Sequence, residues 1–265
     1  MPEGPEIRRQ SDALNAALGG QTLTDVWFAF PALQGYAPRL EGARILRFEP
    51  RGKALLTHFS VGLSMYSHNQ LYGRWEILAP GEVERSTRSP RVRLQCSTGQ
   101  AVLYSASDIE IWPSKDLAQH PFLRRIGPDV LDESLNATEV SARLQEPRFA
   151  RRRLSGLLLD QHFLAGLGNY LRAEILWRAR LGADCKPADL TAQDLSALAQ
   201  ALLNVPRHSY RTRGASEDAL MQEPAFRFEV FKREGEACRR CGTPIAKISH
   251  GGRPLFYCPH CQAST

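Results

Sequence analysis

Apolar residues along this chain change their spacing twice. Ile7, Leu14 and Leu18 recur on one face of a helix, and Gly19-Gly20 ends it. Pro2 and Pro5 are tolerated in a first turn, and Glu3 and Glu6 suit its positive end. From about 22 to 112 the texture turns to short β-like runs. Val26-Trp27-Phe28, Ala54–Phe59, Arg74–Leu78 and the stretch 92–95 are examples, separated by Gly, Pro and Ser. Strands at this spacing predict a β-sandwich.

Pro113, Pro121, Gly127 and Pro128 then punctuate 113–130, which reads as a linker. Beyond it the period becomes helical: a short apolar helix over 154–160, a turn over 161–168 and a second helix over 169–180. Thr191 opens a further helix in capping-box style with Asp194, followed by Leu195, Leu198 and Leu202. From about 225 the chain is rich in cysteine. The pattern predicts an α+β multidomain chain of three units, 1–120, 121–224 and 225–265, with no internal repeat.

The 265 residues are 43% hydrophobic, enough for ordinary cores. No apolar run approaches the ~18 residues of a membrane span. The acidic opening Met1-Pro2-Glu3-Gly4-Pro5-Glu6 is unlike a secretory leader, so a cytoplasmic location is expected. Net charge is +6. Arg124, Arg125, Arg148, Arg151, Arg152, Arg153, Arg172, Arg178 and Arg180 crowd the middle of the chain. Such a cluster suits phosphate, although a solvated basic face gives the same pattern.

Four of the six cysteines fall in the last 28 residues, as Cys238-x2-Cys241-x16-Cys258-x2-Cys261. Two CxxC turns supply the four thiolates of a tetrahedral zinc, and four cysteines leave no open position, so one structural Zn2+ is expected. Between the pairs, His250-Gly251-Gly252-Arg253-Pro254 reads as a hairpin tip presenting an arginine.

Three further segments carry candidate chemistry, each with a plainer reading beside it. In Ala165-Gly166-Leu167-Gly168-Asn169 the glycines permit close backbone approach, and Asn169 is expected to cap the next helix, whose amides could hold a phosphate; any helical hairpin also needs such glycines. Removal of Met1 would leave Pro2 with a secondary amine of pKa ~8, partly neutral near pH 7. Such an amine can attack a sugar C1′ to give an iminium that acidifies C2′, with Glu3 beside it as an acid. The same residues could merely start a helix. Lys53 in Arg51-Gly52-Lys53 is uninformative alone. Asn69-Gln70-Leu71-Tyr72-Gly73 could wedge into a base stack or form a β-turn with a half-buried aromatic.

Together, MPEGPEI, RGKALL, LDQHFLAGLGNYLRAEIL and the terminal CxxC…GGRP…CPHC resemble the formamidopyrimidine-DNA glycosylase/endonuclease VIII family, in the same order and over essentially the whole chain. The resemblance implies an N-terminal β-sandwich with its helix, a helix-two-turn-helix domain and a C-terminal zinc finger. It implies base excision repair by a bifunctional glycosylase and abasic-site lyase working through β,δ-elimination. Pro2 would be the Schiff-base nucleophile, Glu3 the proton donor for base release and Glu6 its support. Lys53 would be the β-elimination proton donor, and Arg253 would assist δ-elimination. Gln70, Leu71, Tyr72, Arg125 and Asn169 match positions that contact DNA.

Purine-directed members carry a strand-inserting set split over two loops, with an Arg-Phe pair. Here the later stretch reads Ser105-Ala106-Ser107-Asp108-Ile109-Glu110. The contiguous Gln70-Leu71-Tyr72 resembles the endonuclease VIII branch, which implies oxidised pyrimidines as substrates. The expected partner is double-stranded DNA with oxidised bases or abasic sites, bound by a bacterial monomer associated with the nucleoid. A purine-directed glycosylase and a non-catalytic zinc-finger nucleic-acid-binding protein are the alternatives.

Overall fold

The computed structural model describes residues 2–214, 220 and 223–262. They fall into two compact units, Met1–Arg125 and Ile126–Thr265; Met1, whose removal the sequence suggests, lies outside the described residues.

The first unit is a β-sandwich with a helix docked on it. Helix α1 spans Gly4–Leu18 and buries Ile7, Leu14 and Leu18. Eight strands follow: β1 Leu23–Phe28, β2 Ile45–Arg51, β3 Ala54–Phe59, β4 Leu63–His68, β5 Arg74–Leu78, β6 Pro90–Cys96, β7 Gly99–Tyr104 and β8 Asp108–Pro113. They form two antiparallel four-stranded sheets, ordered β1-β6-β7-β5 and β2-β3-β4-β8. Phe28, Ile45, Phe48, Phe59, Met65, Val92, Leu94 and Leu103 belong to one buried cluster that also takes in Ile7 and Leu14 of the helix. The helix is held by more than apolar contact. Asn15 donates Nδ2–H to the Phe48 carbonyl at 2.7 Å and accepts the Phe48 amide on Oδ1 at 2.8 Å, pairing with β2 as a neighbouring strand would. Ser11 adds a donor to the same carbonyl.

The stretch 113–130 is not an open linker. Ser114–Gln119 forms a 3-10 turn, and His120 behind it is buried. The His120 ring stacks on Tyr66 with centroids 4.2 Å apart, and its Nδ1 accepts the Phe122 amide. The prolines there mark corners of a folded segment.

In the second unit, helix α2 spans Ala137–Leu144 with Asn136 and Glu139 as a capping box. The apolar helix expected over 154–160 is a single turn, Leu154–Leu157. Helix α3 spans Asn169–Ala179, and Arg180 ends it in the left-handed conformation. Helix α4 spans Ala192–Thr212, capped by Thr191 as the sequence indicates. Strands β9 Ala246–His250 and β10 Arg253–Tyr257 form a hairpin. The cysteine module shares a core with these helices: Cys238, Ile245, Leu255 and Cys258 belong to the same buried cluster as Leu171, Ile175, Leu198 and Leu202.

Candidate functional site

In the first unit, Pro2 precedes α1, and Glu3, its N-cap, is 4% exposed. Glu6 accepts the Glu3 amide on Oε2 at 2.9 Å, one half of a capping box, while its Oε1 accepts from Arg9 at 3.0 Å. Glu6 thereby fixes the backbone that carries Glu3 and Pro2. Lys53 lies in the two-residue loop joining β2 to β3, where Gly52 takes a positive φ of 62° that favours glycine. Lys53 is 7% exposed, so it is not the solvated strand-end residue that its type alone suggests. On β2, Glu49 bonds His58 at 2.9 Å and pairs with Arg47 and Arg51. The bond from His58, with both arginines, pulls the Glu49 carboxyl down to about 2 despite partial burial.

The turn after β4 presents Leu71 and Tyr72, 55% and 66% exposed, beside an exposed Gln70 with φ 49°. A half-buried aromatic is therefore not what this turn holds. Arg125 is exposed and bonds the carbonyl of Pro121 through Nε.

In the second unit, Gly168, not Asn169, is the N-cap of α3. Asn169 occupies the first helical position instead, where its side chain reaches outward. Its Nδ2 donates to the Pro254 carbonyl at 2.9 Å, and its Oδ1 accepts from Arg172 at 2.7 Å. Arg172 is 1% exposed and also donates to the Ser155 carbonyl at 3.0 Å. The residue before that proline, Arg253, is exposed and follows the Gly251-Gly252 turn of the hairpin, both glycines having positive φ. Glu174, two residues after Arg172 on α3, accepts the amides of Glu229, Val230 and Phe231 at 2.9, 3.1 and 2.9 Å. Burial outweighs those three amides and pushes its carboxyl up to about 7. Neither Arg172 nor Glu174 has a sequence signature, because a charged residue in a helix ordinarily faces water.

The sulfur atoms of Cys238, Cys241, Cys258 and Cys261 lie within 4.8 Å of one another. The Cys238–Cys261 and Cys241–Cys258 separations are 4.0 and 3.4 Å. A tetrahedral zinc with Zn–S of ~2.3 Å asks for S···S near ~3.8 Å, so the cluster fits one ion held by four thiolates. Trp177 aims Nε1 at the Cys238 sulfur at 3.5 Å, and the Arg240 guanidinium lies 4.0 Å over its ring.

Three family models match successive parts of the chain. They are the formamidopyrimidine-DNA glycosylase N-terminal domain over residues 1–107, the H2TH domain of the same glycosylase over 126–218, and a zinc finger found in FPG and IleRS over 235–263. Endonuclease 8 of Salmonella enteritidis is 57% identical over 99% of this chain and 100% of its own length. Endonuclease 8 of Salmonella arizonae is 56% identical with the same coverage. The chain belongs to the formamidopyrimidine-DNA glycosylase/endonuclease 8 family. Solved members share its fold. A complex of Lactococcus lactis Fpg with DNA containing an abasic site has a TM-score of 0.84 at 21% identity, covering 99% of this chain and 100% of that one. MutM in complex with DNA containing carbocyclic 8-oxo-G has a TM-score of 0.84 at 23% identity, with the same coverage.

Membership bears out the resemblance in its β-sandwich, helix-two-turn-helix and zinc-finger parts, and the four cysteines hold one structural zinc. Among the described residues, no helix is long and apolar enough to cross a membrane.

Proposed function

We propose that this member of the family acts in base excision repair, removing oxidised pyrimidines from double-stranded DNA and then cutting the strand as an abasic-site lyase. The observation that carries the reading is full-length identity of 57% to a protein named Endonuclease 8. The solvent-exposed turn of three contiguous residues, Gln70, Leu71 and Tyr72, supports the pyrimidine-directed branch.

In this reading Pro2, freed of Met1, attacks C1′ of the damaged nucleotide as the glycosidic bond breaks, and Glu3 delivers a proton to the departing base. The iminium on Pro2 acidifies the C2′ hydrogen, whose loss expels the 3′ phosphate; Lys53 is the proton donor of this β-elimination. Arg253 assists the second elimination, which expels the 5′ phosphate and leaves a gap flanked by phosphates. Glu6 contributes by holding the Glu3 backbone. Asn169 and Arg125 meet the phosphate backbone, and the damaged nucleotide leaves the helix as Gln70, Leu71 and Tyr72 fill its place. The sandwich, 1–120, carries the covalent chemistry, while 121–224 and 225–265 grip DNA. The zinc supplies rigidity to the Arg253 hairpin and takes no part in bond breaking. The enzyme works as a monomer on the bacterial nucleoid, in the cytoplasm.

Turnover on matched duplexes carrying thymine glycol or 8-oxoguanine tests the proposal. Faster release of thymine glycol, with phosphate at both ends of the gap, is expected. Faster release of 8-oxoguanine would assign the chain to the purine-directed branch, and binding without cleavage would leave only a nucleic-acid-binding protein.

A further inference from the structure

The turn that carries Leu71 and Tyr72 is held from beneath by side chains that the chemistry above does not use. Gln70 sits at φ 49°, a left-handed conformation that a residue with a side chain adopts only when its surroundings enforce it. Its amide donates to Nδ1 of His68 at 2.9 Å. Its side-chain carbonyl accepts the Ser107 hydroxyl at 2.6 Å. Around it, the Gly73 amide closes on the Asn69 carbonyl at 2.6 Å, and Asn69, 3% exposed, donates to Gln10 of α1 at 3.0 Å. The Arg88 guanidinium holds the Tyr72 carbonyl at 2.6 Å. A large exposed aliphatic and aromatic pair is thus presented on a braced backbone.

His68 is the member of this set with a chemical state to lose. It closes β4, opposite Ala54 on β3 and Asp108 on β8, with the Phe122 ring edge-on at 6.4 Å. Accepting an amide proton at Nδ1 requires a lone pair there, so the ring is neutral with its proton on Nε2. Burial and the nearby Lys53 ammonium both disfavour the imidazolium, while Asp108 favours it; the balance lies below the ordinary histidine value.

We propose that His68 is a positioning residue for base extrusion, its Nδ1 together with the Ser107 hydroxyl fixing Gln70 so that Leu71 and Tyr72 form a wedge before DNA arrives. This rests on the reading that Gln70, Leu71 and Tyr72 enter the base stack. Pre-setting the turn removes the ordering cost that a loose loop would meet at the moment of insertion. The arrangement also gives the segment 105–110 a function here: Ser107 supports the wedge and inserts nothing itself. Protonation of His68 at Nδ1 would remove the acceptor and release the turn.

Cleavage of one abasic-site oligonucleotide, single-stranded and in duplex, tests this with the full-length zinc-loaded protein. A single strand has no stack to open, so a wedge defect spares it. His68→Leu is expected to cut the duplex about ten-fold more slowly than the wild type while cutting the single strand at the same rate. His68→Asn, whose Oδ1 can accept the Gln70 amide and does not titrate, is expected to restore duplex cleavage. It should also abolish the fall in duplex-over-single-strand preference that is expected of the wild type as pH drops below the ordinary histidine range. Ser107→Ala should fall between wild type and His68→Leu. A double Leu71→Gly, Tyr72→Gly variant separates the two ideas. If it loses duplex cleavage and His68→Leu does not, the wedge stands and the clamp is wrong. If neither loses it, the wedge reading itself fails. Equal losses by His68→Leu on both substrates would mean that His68 acts on the chemistry or on folding, and would also overturn the proposal.

Discussion

Asn169 donates its side-chain amide to the carbonyl of Pro254 at 2.9 Å, although 85 residues separate the two. The contact ties the first turn of α3 to the tip of the β9–β10 hairpin, so Asn169 and Arg253 share one support. Arg172 completes it by donating to Asn169 Oδ1 and to the Ser155 carbonyl.

Arg172 is therefore expected to be costly to lose although it takes no part in the proposed bond breaking. Arg172→Leu would remove the donors to Asn169 Oδ1 and to a buried backbone carbonyl, a loss of about 2–3 kcal/mol. Urea unfolding monitored by circular dichroism measures it. Arg172→Lys keeps the charge but not the fork, and should recover only part of the stability. A variant as stable as the wild type would show that Asn169 and Pro254 hold each other without help.

Zinc removal should be read out at Trp177. Its Nε1–H points at the Cys238 sulfur and its face carries the Arg240 guanidinium, so loss of the metal alters its surroundings directly. Because Cys238 and Cys258 pack in the same core as α3 and α4, chelation is expected to lower Tm by more than about 10 °C. The tryptophan emission should shift in step with zinc release. An unchanged Tm in the metal-free protein would contradict the shared core.

Local spacing explains what the sequence made legible. The two CxxC pairs, the Gly251-Gly252 turn and the Thr191 cap are all set by neighbours within a few residues, and each is found where the spacing puts it. A strand such as Ala54–Phe59 is legible as a short, largely apolar run that follows a glycine. The misread parts depend on distant partners. Pro113 and Pro121 look like linker punctuation, yet His120 between them stacks on Tyr66 of β4. Asn169 looks like a cap, but the Gly168 backbone takes that position while Pro254 claims the side chain. Arg172 and Glu174 resemble the wet face of a helix, whereas α3 is buried on nearly every side and both charges are met by groups remote in sequence. Ser107 finds Gln70 across 37 residues, a pairing that no local pattern announces.

Glu49 should make the sandwich sensitive to acid. Its carboxyl titrates at about 2 in the folded protein, below the ordinary 4.5, chiefly through the bond from His58 and then Arg47 and Arg51. A lowered carboxyl favours the folded state above the unfolded value, and that advantage is lost as pH falls from about 4.5 toward 2. Glu49→Gln is expected to be less stable than wild type near neutrality, with the difference shrinking through this window. Thermal melts at stepped pH values check it, and a gap that stays constant down to pH ~2 would rule out Glu49 as its source.

Covalent trapping is the decisive test of Pro2 as the nucleophile. Protein confirmed to lack Met1 would be incubated with a duplex containing one thymine glycol, in the presence of borohydride. A reduced protein–DNA adduct whose peptide map places the sugar on Pro2 is expected, with no adduct from protein that retains Met1. Strand cleavage without an adduct, an adduct on another residue, or normal cleavage by the Met1-bearing protein would rule Pro2 out as the nucleophile.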